Sequence, residues 1–73
     1  MKDRIYAQMQ SFVRDYPGAV MDGPVIKING REMGLVFLKE HGVLRGWLAF
    51  PDFSLRPVPN DLPEFLALVI EIS

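Results

Sequence analysis

The sequence predicts an α+β domain, a small two-layer sandwich in the order α-β-β-β-α, with a three-stranded antiparallel meander covered on one face by both helices. Three observations carry this. An apolar stripe at helical spacing ends at Pro17-Gly18, two turn dipeptides (Asn29-Gly30 and His41-Gly42) divide a β-rich middle, and Asp61 opens a last apolar run. Both helices need an apolar surface to cover, and the sheet provides one such face.

In the first segment, about residues 3–16, Ile5, Met9, Phe12, Val13 and Tyr16 recur at spacings that place them on one side of a helix. Arg4, Gln8, Ser11 and Asp15 fall elsewhere. Pro17 disfavours helical geometry at the residue before it, and Gly18 permits the turn. Residues 19–24, punctuated by Asp22-Gly23-Pro24, read as a loop.

Three strands follow, at about 25–29, 31–39 and 43–50. Asn29-Gly30 between apolar runs suits a two-residue turn with positive φ at both positions, and that turn sets the register. Ile26 then faces Met33, and Lys27 faces Glu32, so opposite charges meet across the ladder. A second tight turn at His41-Gly42 places Val36 opposite Trp47 and Leu38 opposite Arg45. Because strand side chains alternate, the register sorts them into two faces. Ile26, Ile28, Met33, Leu35, Phe37, Leu44, Leu48 and Phe50 share an almost wholly apolar face, the expected core. Val25, Lys27, Glu32, Gly34, Val36, Leu38, Val43, Arg45 and Trp47 share a mixed one.

Residues 51–60 read as an extended, proline-rich connector, since four of the six prolines lie between Pro51 and Pro63. The last segment, about 61–72, has Asp61 as a candidate N-cap, Glu64 at the capping-box position and Leu62, Phe65, Leu66, Val69 and Ile72 as the helical stripe. A terminal strand is the rival, because Val69-Ile70-Glu71-Ile72 is β-branched and alternating.

Length and charge bound the function. The 73 residues form a single expected domain, 1–73, and 49% hydrophobic content with a net charge of −1 is far from a disordered composition. Near-neutrality speaks against strong electrostatic capture of nucleic acid. The longest uncharged apolar stretch, Phe65–Ile70, is far short of the ~20 residues of a membrane span. Met1-Lys2-Asp3-Arg4 opens no apolar leader and there is no cysteine, so a stand-alone cytoplasmic protein is the expectation.

Chemistry is sparsely supplied. No Cys or Thr is present, the serines are Ser11, Ser54 and Ser73, and His41 is the single candidate base, placed in a turn. Asp22, Asp52 and Asp61 lie where Asp commonly turns or caps the chain. One His and scattered carboxylates match no metal-ligand spacing, and the glycines are not gathered before a helix as a phosphate loop requires. The expectation is therefore no enzyme, no catalytic residue, no cofactor and no metal.

The surplus is the mixed face. Val36, Leu38, Val43 and Trp47 cannot reach the core if Leu35, Phe37 and Leu48 do. Either the connector, through Phe53, Leu55 and Val58, folds over Trp47 as a second small core, or the face stays open and Trp47 with Arg45 anchors a partner. The second reading makes Trp47, Arg45, Val36, Leu38, Val43, Lys27 and Glu32 the candidate partner-binding residues of a small regulator or inhibitor that occupies a larger protein. Chains of this kind are often encoded by phage or mobile elements, anti-CRISPR-type blockers among them. Homodimerisation through the same face or by strand edges is a variant. A single-stranded nucleic-acid platform, which Trp47, Arg45 and Lys27 resemble in chemistry, is the alternative.

Overall fold

The computed structural model describes residues 2–73. Helix α1 spans Lys2–Asp15. Strands β1 (Ala19–Asp22), β2 (Val25–Ile28), β3 (Arg31–Glu40), β4 (Val43–Ala49) and β5 (Leu55–Pro57) follow, and α2 (Leu62–Ile72) closes the chain. The strands form one antiparallel sheet in the order β1-β2-β3-β4-β5, so each strand pairs with its neighbour in sequence. The domain is α+β, built from two helices and this sheet.

The predicted register stands: Ile26 pairs with Met33, Lys27 with Glu32, Val36 with Trp47 and Leu38 with Arg45. Its cause is local. Asn29 and Gly30 have φ of 51° and 83°, and His41 and Gly42 have 49° and 77°, so each pair closes a two-residue hairpin whose twist matches its strands.

The sheet is larger than expected. Residues 19–22, read as loop, are a strand that pairs with the whole of β2, Ala19 with Ile28 through Asp22 with Val25. Within the predicted connector, Leu55–Pro57 pairs with Trp47–Ala49. The meander therefore has five strands where three were predicted. Both additions are short edge strands, and Pro57 is tolerated because an edge leaves one side of the backbone unpaired.

The core gathers Met9 and Val13 of α1, Ile26, Ile28, Met33, Leu35 and Leu48 of the sheet, and Phe65, Leu68, Val69 and Ile72 of α2. Phe12 stacks on Phe65 with centroids 5.2 Å apart, Tyr16 meets the edge of Phe65 at 6.0 Å, and Tyr6 lies 6.1 Å from Phe37. Phe37 and Phe50 flank this core; Leu44, predicted within it, is half-buried outside the cluster.

The last segment is a helix. Asp61 takes extended geometry and accepts the Glu64 N–H at 2.9 Å, while the Glu64 carboxylate reaches back to the Asn60 N–H at 3.0 Å. These bonds satisfy donors that a helix start otherwise leaves unpaired, and they set the competition with the strand alternative. Its buried face differs from the predicted stripe: Leu68 joins Phe65, Val69 and Ile72, whereas Leu62 and Leu66 stay exposed. A helix apolar on nearly every side offers several possible buried faces, and the ring stack with Phe12 and Tyr16 selects the one containing Phe65.

Gly46 permits a close approach. A Cβ there would lie 3.1 Å from Val58 Cγ2 and 3.2 Å from Ile5 Cγ2, so α1 and the connector dock directly on the β4 backbone. Gln8 adds a hydrogen bond from its side-chain amide to the Pro59 carbonyl at 2.7 Å.

Candidate protein-binding face of the sheet

The site is built by pairing register and alternation. On the side of the sheet opposite Met33, Leu35 and Leu48, the ladders align side chains in rows across the strands. Pro57, Trp47 and Val36 form one row; Arg45 and Leu38 form the next, with Val43 and Glu40 beyond them. On the other side of the Trp47 row lie Leu55, Ala49, Gly34 and Val25, and past these Glu32, Lys27 and Val20.

The structure thus brings Trp47, Arg45, Val36, Leu38 and Val43 together as one patch. It leaves Lys27 and Glu32 apart, beyond the row of small residues at Ala49 and Gly34. Leu38 and Val43 are 42% and 51% exposed, while Trp47 and Val36 are half-buried.

The connector does not form the second core considered from sequence. Leu55 and Pro57 extend the sheet sideways, Phe53 is 92% exposed, and Val58 packs against the main core beside Gly46 and Ile5. Leu55 and Pro57 join the face as members that sequence reasoning missed. Their alternation about Arg56 was the available signal, masked by the prolines around it.

Electrostatically the patch is self-contained. The Arg45 guanidinium lies over the Trp47 ring, 5.5 Å from its centroid, and also pairs with Glu40 at 3.7 Å. Lys27 pairs with Glu32 at 3.8 Å. These pairs are more than 40% exposed, so each contributes little stability and mainly cancels charge. The Trp47 Nε1–H is buried and meets no acceptor among the described residues.

A second apolar surface lies on α2, where Leu62, Leu66 and Ile70 repeat every four residues and stay exposed, Ile70 at 76%. Beside α2, a cleft of about 350 Å³ is lined by Arg31, Phe50, Asp52, Ser54, Arg56 and Glu71. Its Arg56 and Glu71 form an ion pair, and Asp52 accepts from the Ser54 hydroxyl and N–H, which hold its carboxyl below its ordinary pKa. Among the described residues, no three His, Asp or Glu side chains come together as metal ligands, and no helix is long and apolar enough to cross a membrane.

Comparison with known proteins yields no match among family models, curated proteins or solved structures.

Proposed function

We propose that this protein is a non-enzymatic binding module, a regulator or inhibitor that occupies the surface of a larger protein through the Trp47 patch. In this reading the two helices share the inner face of the sheet as a two-layer sandwich, and the outer face is left to a partner. The contacts of Tyr6 with Phe37 and of Ile5 with the backbone at Gly46 support that arrangement.

The observation that carries the reading is the exposure of Leu38 and Val43 beside a Trp–Arg stack. Trp and Arg are the residue types most enriched where truncation weakens an interface, and an apolar rim excludes water from such anchors. Arg45 and Lys27 each already face a carboxylate, which favours a protein surface over a phosphate backbone. The proposed setting is the cytoplasm.

The test is affinity capture with the tagged chain as bait, comparing wild type with Trp47→Ala and Arg45→Glu, each checked for native circular dichroism. Loss of the captured protein with both, and its retention with Ile70→Ser on α2, supports the assignment. Undiminished capture by both folded variants overturns it. Titration with single-stranded oligonucleotide at low salt checks the nucleic-acid alternative: the proposed module leaves Trp47 fluorescence unchanged.

A further inference from the structure

The sheet ends in two edge strands that offer a partner different things. On β5, the Phe50 N–H donates to the Ser54 carbonyl at 3.0 Å and the Val58 N–H to the Gly46 carbonyl at 3.4 Å. The backbone groups of residues 54, 56 and 58 thus face β4, and those of Leu55 and Pro57 face outward. Proline carries no N–H, so this edge is blunted. On β1, the Gly18 carbonyl accepts the Asn29 N–H at 2.8 Å, and alternation turns the backbone groups of Val20 and Asp22 toward β2 as well. Those of Ala19 and Met21 face outward.

The outward side of β1 is open. The Ala19 N–H is taken by the Tyr16 carbonyl at 3.1 Å, which leaves the Ala19 carbonyl and both backbone groups of Met21 without a partner among the described residues. Residues 19–21 include no proline and no charge, the devices that ordinarily keep an edge from pairing, and Val20 is 63% exposed. Helix α1 does not cover the edge: a cleft of about 330 Å³ is lined by Val13 and Arg14 together with Ala19, Val20 and Met21.

We propose that β1 pairs antiparallel with β1 of a second copy about a two-fold axis at Met21, joining two five-stranded sheets into one. A strand paired with its own copy closes the assembly, because the blunted β5 edges end it on both sides. Hydrogen-bond groups and charge select this register. Ala19 opposite itself puts Pro17, which has no donor, against Met21, and Ala19 opposite Met21 wastes the engaged Ala19 N–H. Met21 opposite Gly23 sets Asp22 against its own copy, like charge on like. With Met21 opposite Met21, each Met21 N–H donates to the other's carbonyl, and each Ala19 carbonyl accepts the Gly23 N–H of the second copy. Each Asp22 then stands opposite Val20 of the second copy, in the row that continues to Lys27. Asp22 has no ion-pair partner among the described residues, and Lys27 faces Glu32 on one side of that row only. The contact therefore brings two unpaired carboxylates to two lysines. Strands β2 and β3 separate β1 from Trp47 on β4, so the dimer stands or falls independently of the partner proposed for that residue.

Sedimentation equilibrium of the full chain from micromolar to millimolar concentration tests this. Wild type is expected to shift from 8.3 kDa to twice that mass. Met21→Pro removes the outward donor while sparing the ladder with β2, and is expected to stay monomeric throughout. Val20→Glu opposes Asp22 of the second copy at two equivalent positions and is expected to weaken association about 10-fold. Val20→Lys meets the same carboxylates and is expected to stay within about 3-fold of wild type. These two variants read the register even if the proline variant misfolds. Hydrogen exchange adds a site-specific readout: the Met21 amide is expected to be protected at millimolar concentration and to exchange freely at micromolar, with Val20 protected at both. A wild type monomeric throughout, a dimer unchanged by a folded Met21→Pro, or equal weakening by Val20→Glu and Val20→Lys overturns the proposal. So does dissociation by Leu66→Ser with Val20→Glu neutral, which places the contact on α2.

Discussion

Arg45 and Trp47, two residues apart on β4, stack with the guanidinium 5.5 Å from the indole centroid, over a ring whose buried N–H meets no acceptor among the described residues. The pair is amphipathic: the ring adds apolar area, and the orphaned donor subtracts about 1–3 kcal/mol. Trp47→Phe keeps a ring beside Pro57 and Val36 and removes the donor. Its unfolding free energy in urea is expected within about 1 kcal/mol of wild type or above it. Trp47→Ala, which loses the ring as well, is expected to be about 2 kcal/mol less stable.

The patch was legible before the fold because two turns fixed it. Asn29-Gly30 and His41-Gly42 leave no freedom in the pairing of β2, β3 and β4, so the separation of Trp47 from Leu48 follows from counting. The edge strands were illegible for the opposite reason. Ala19–Asp22 has four residues and Leu55–Pro57 three, too short for a pattern to stand out, and the prolines around Leu55 mask its alternation. The phase of α2 was also hidden, because Leu62, Leu66 and Leu68 are equivalent as hydrophobic residues until Phe12 and Tyr16 engage Phe65. Phe53 gave no sequence signal, since its positive φ belongs to the turn that Asp52 and Ser54 close.

Gly46 should not tolerate a branched side chain. Val58 and Ile5 already stand 3.1 and 3.2 Å from the position of a Cβ, and their own contacts link the connector and α1 to the core. Gly46→Val is expected to lower the unfolding free energy by about 1–3 kcal/mol as the core is forced to repack. In a domain this small that is a large share of the total. Chemical denaturation followed by circular dichroism measures it; Gly34→Val, at an open position, serves as the control.

The start of α2 rests on two carboxylates with separable roles. Asp61→Ala removes the acceptor for the Glu64 N–H and is expected to cost about 1 kcal/mol. Asp61→Asn, which keeps an acceptor oxygen, should recover most of it. Faster amide exchange at Glu64 in the alanine variant, with Val69 less affected, would locate the loss at the cap.

The Asp52 carboxyl is held below its ordinary pKa, chiefly by the Ser54 hydroxyl and then by the Ser54 N–H. A carboxyl with a lower pKa in the folded chain than in the unfolded one stabilises the fold above the unfolded value, and that contribution is lost as the pH falls through the folded value. Between the two, the unfolded chain binds more protons, so stability rises with pH. Ser54→Ala removes the larger cause. An NMR titration of the Asp52 side-chain carbon is expected to move upward toward the ordinary carboxylate range, and an unmoved midpoint would contradict the assigned cause.

Backbone strain at Phe53 separates the turn from what its ring does. Phe53→Ala removes the ring but retains a Cβ at φ +70°, whereas Phe53→Gly removes both. Phe53→Gly is expected to exceed Phe53→Ala in unfolding free energy by about 1 kcal/mol, the scale of a single left-handed residue. Phe53→Ala should fall close to wild type, because a ring 92% exposed contributes little to the folded state. That combination would mark Phe53 as a position whose left-handed backbone conformation lowers stability whichever L side chain it carries. Equal stability for the glycine and alanine variants would mean that the turn relaxes away from positive φ in the alanine variant.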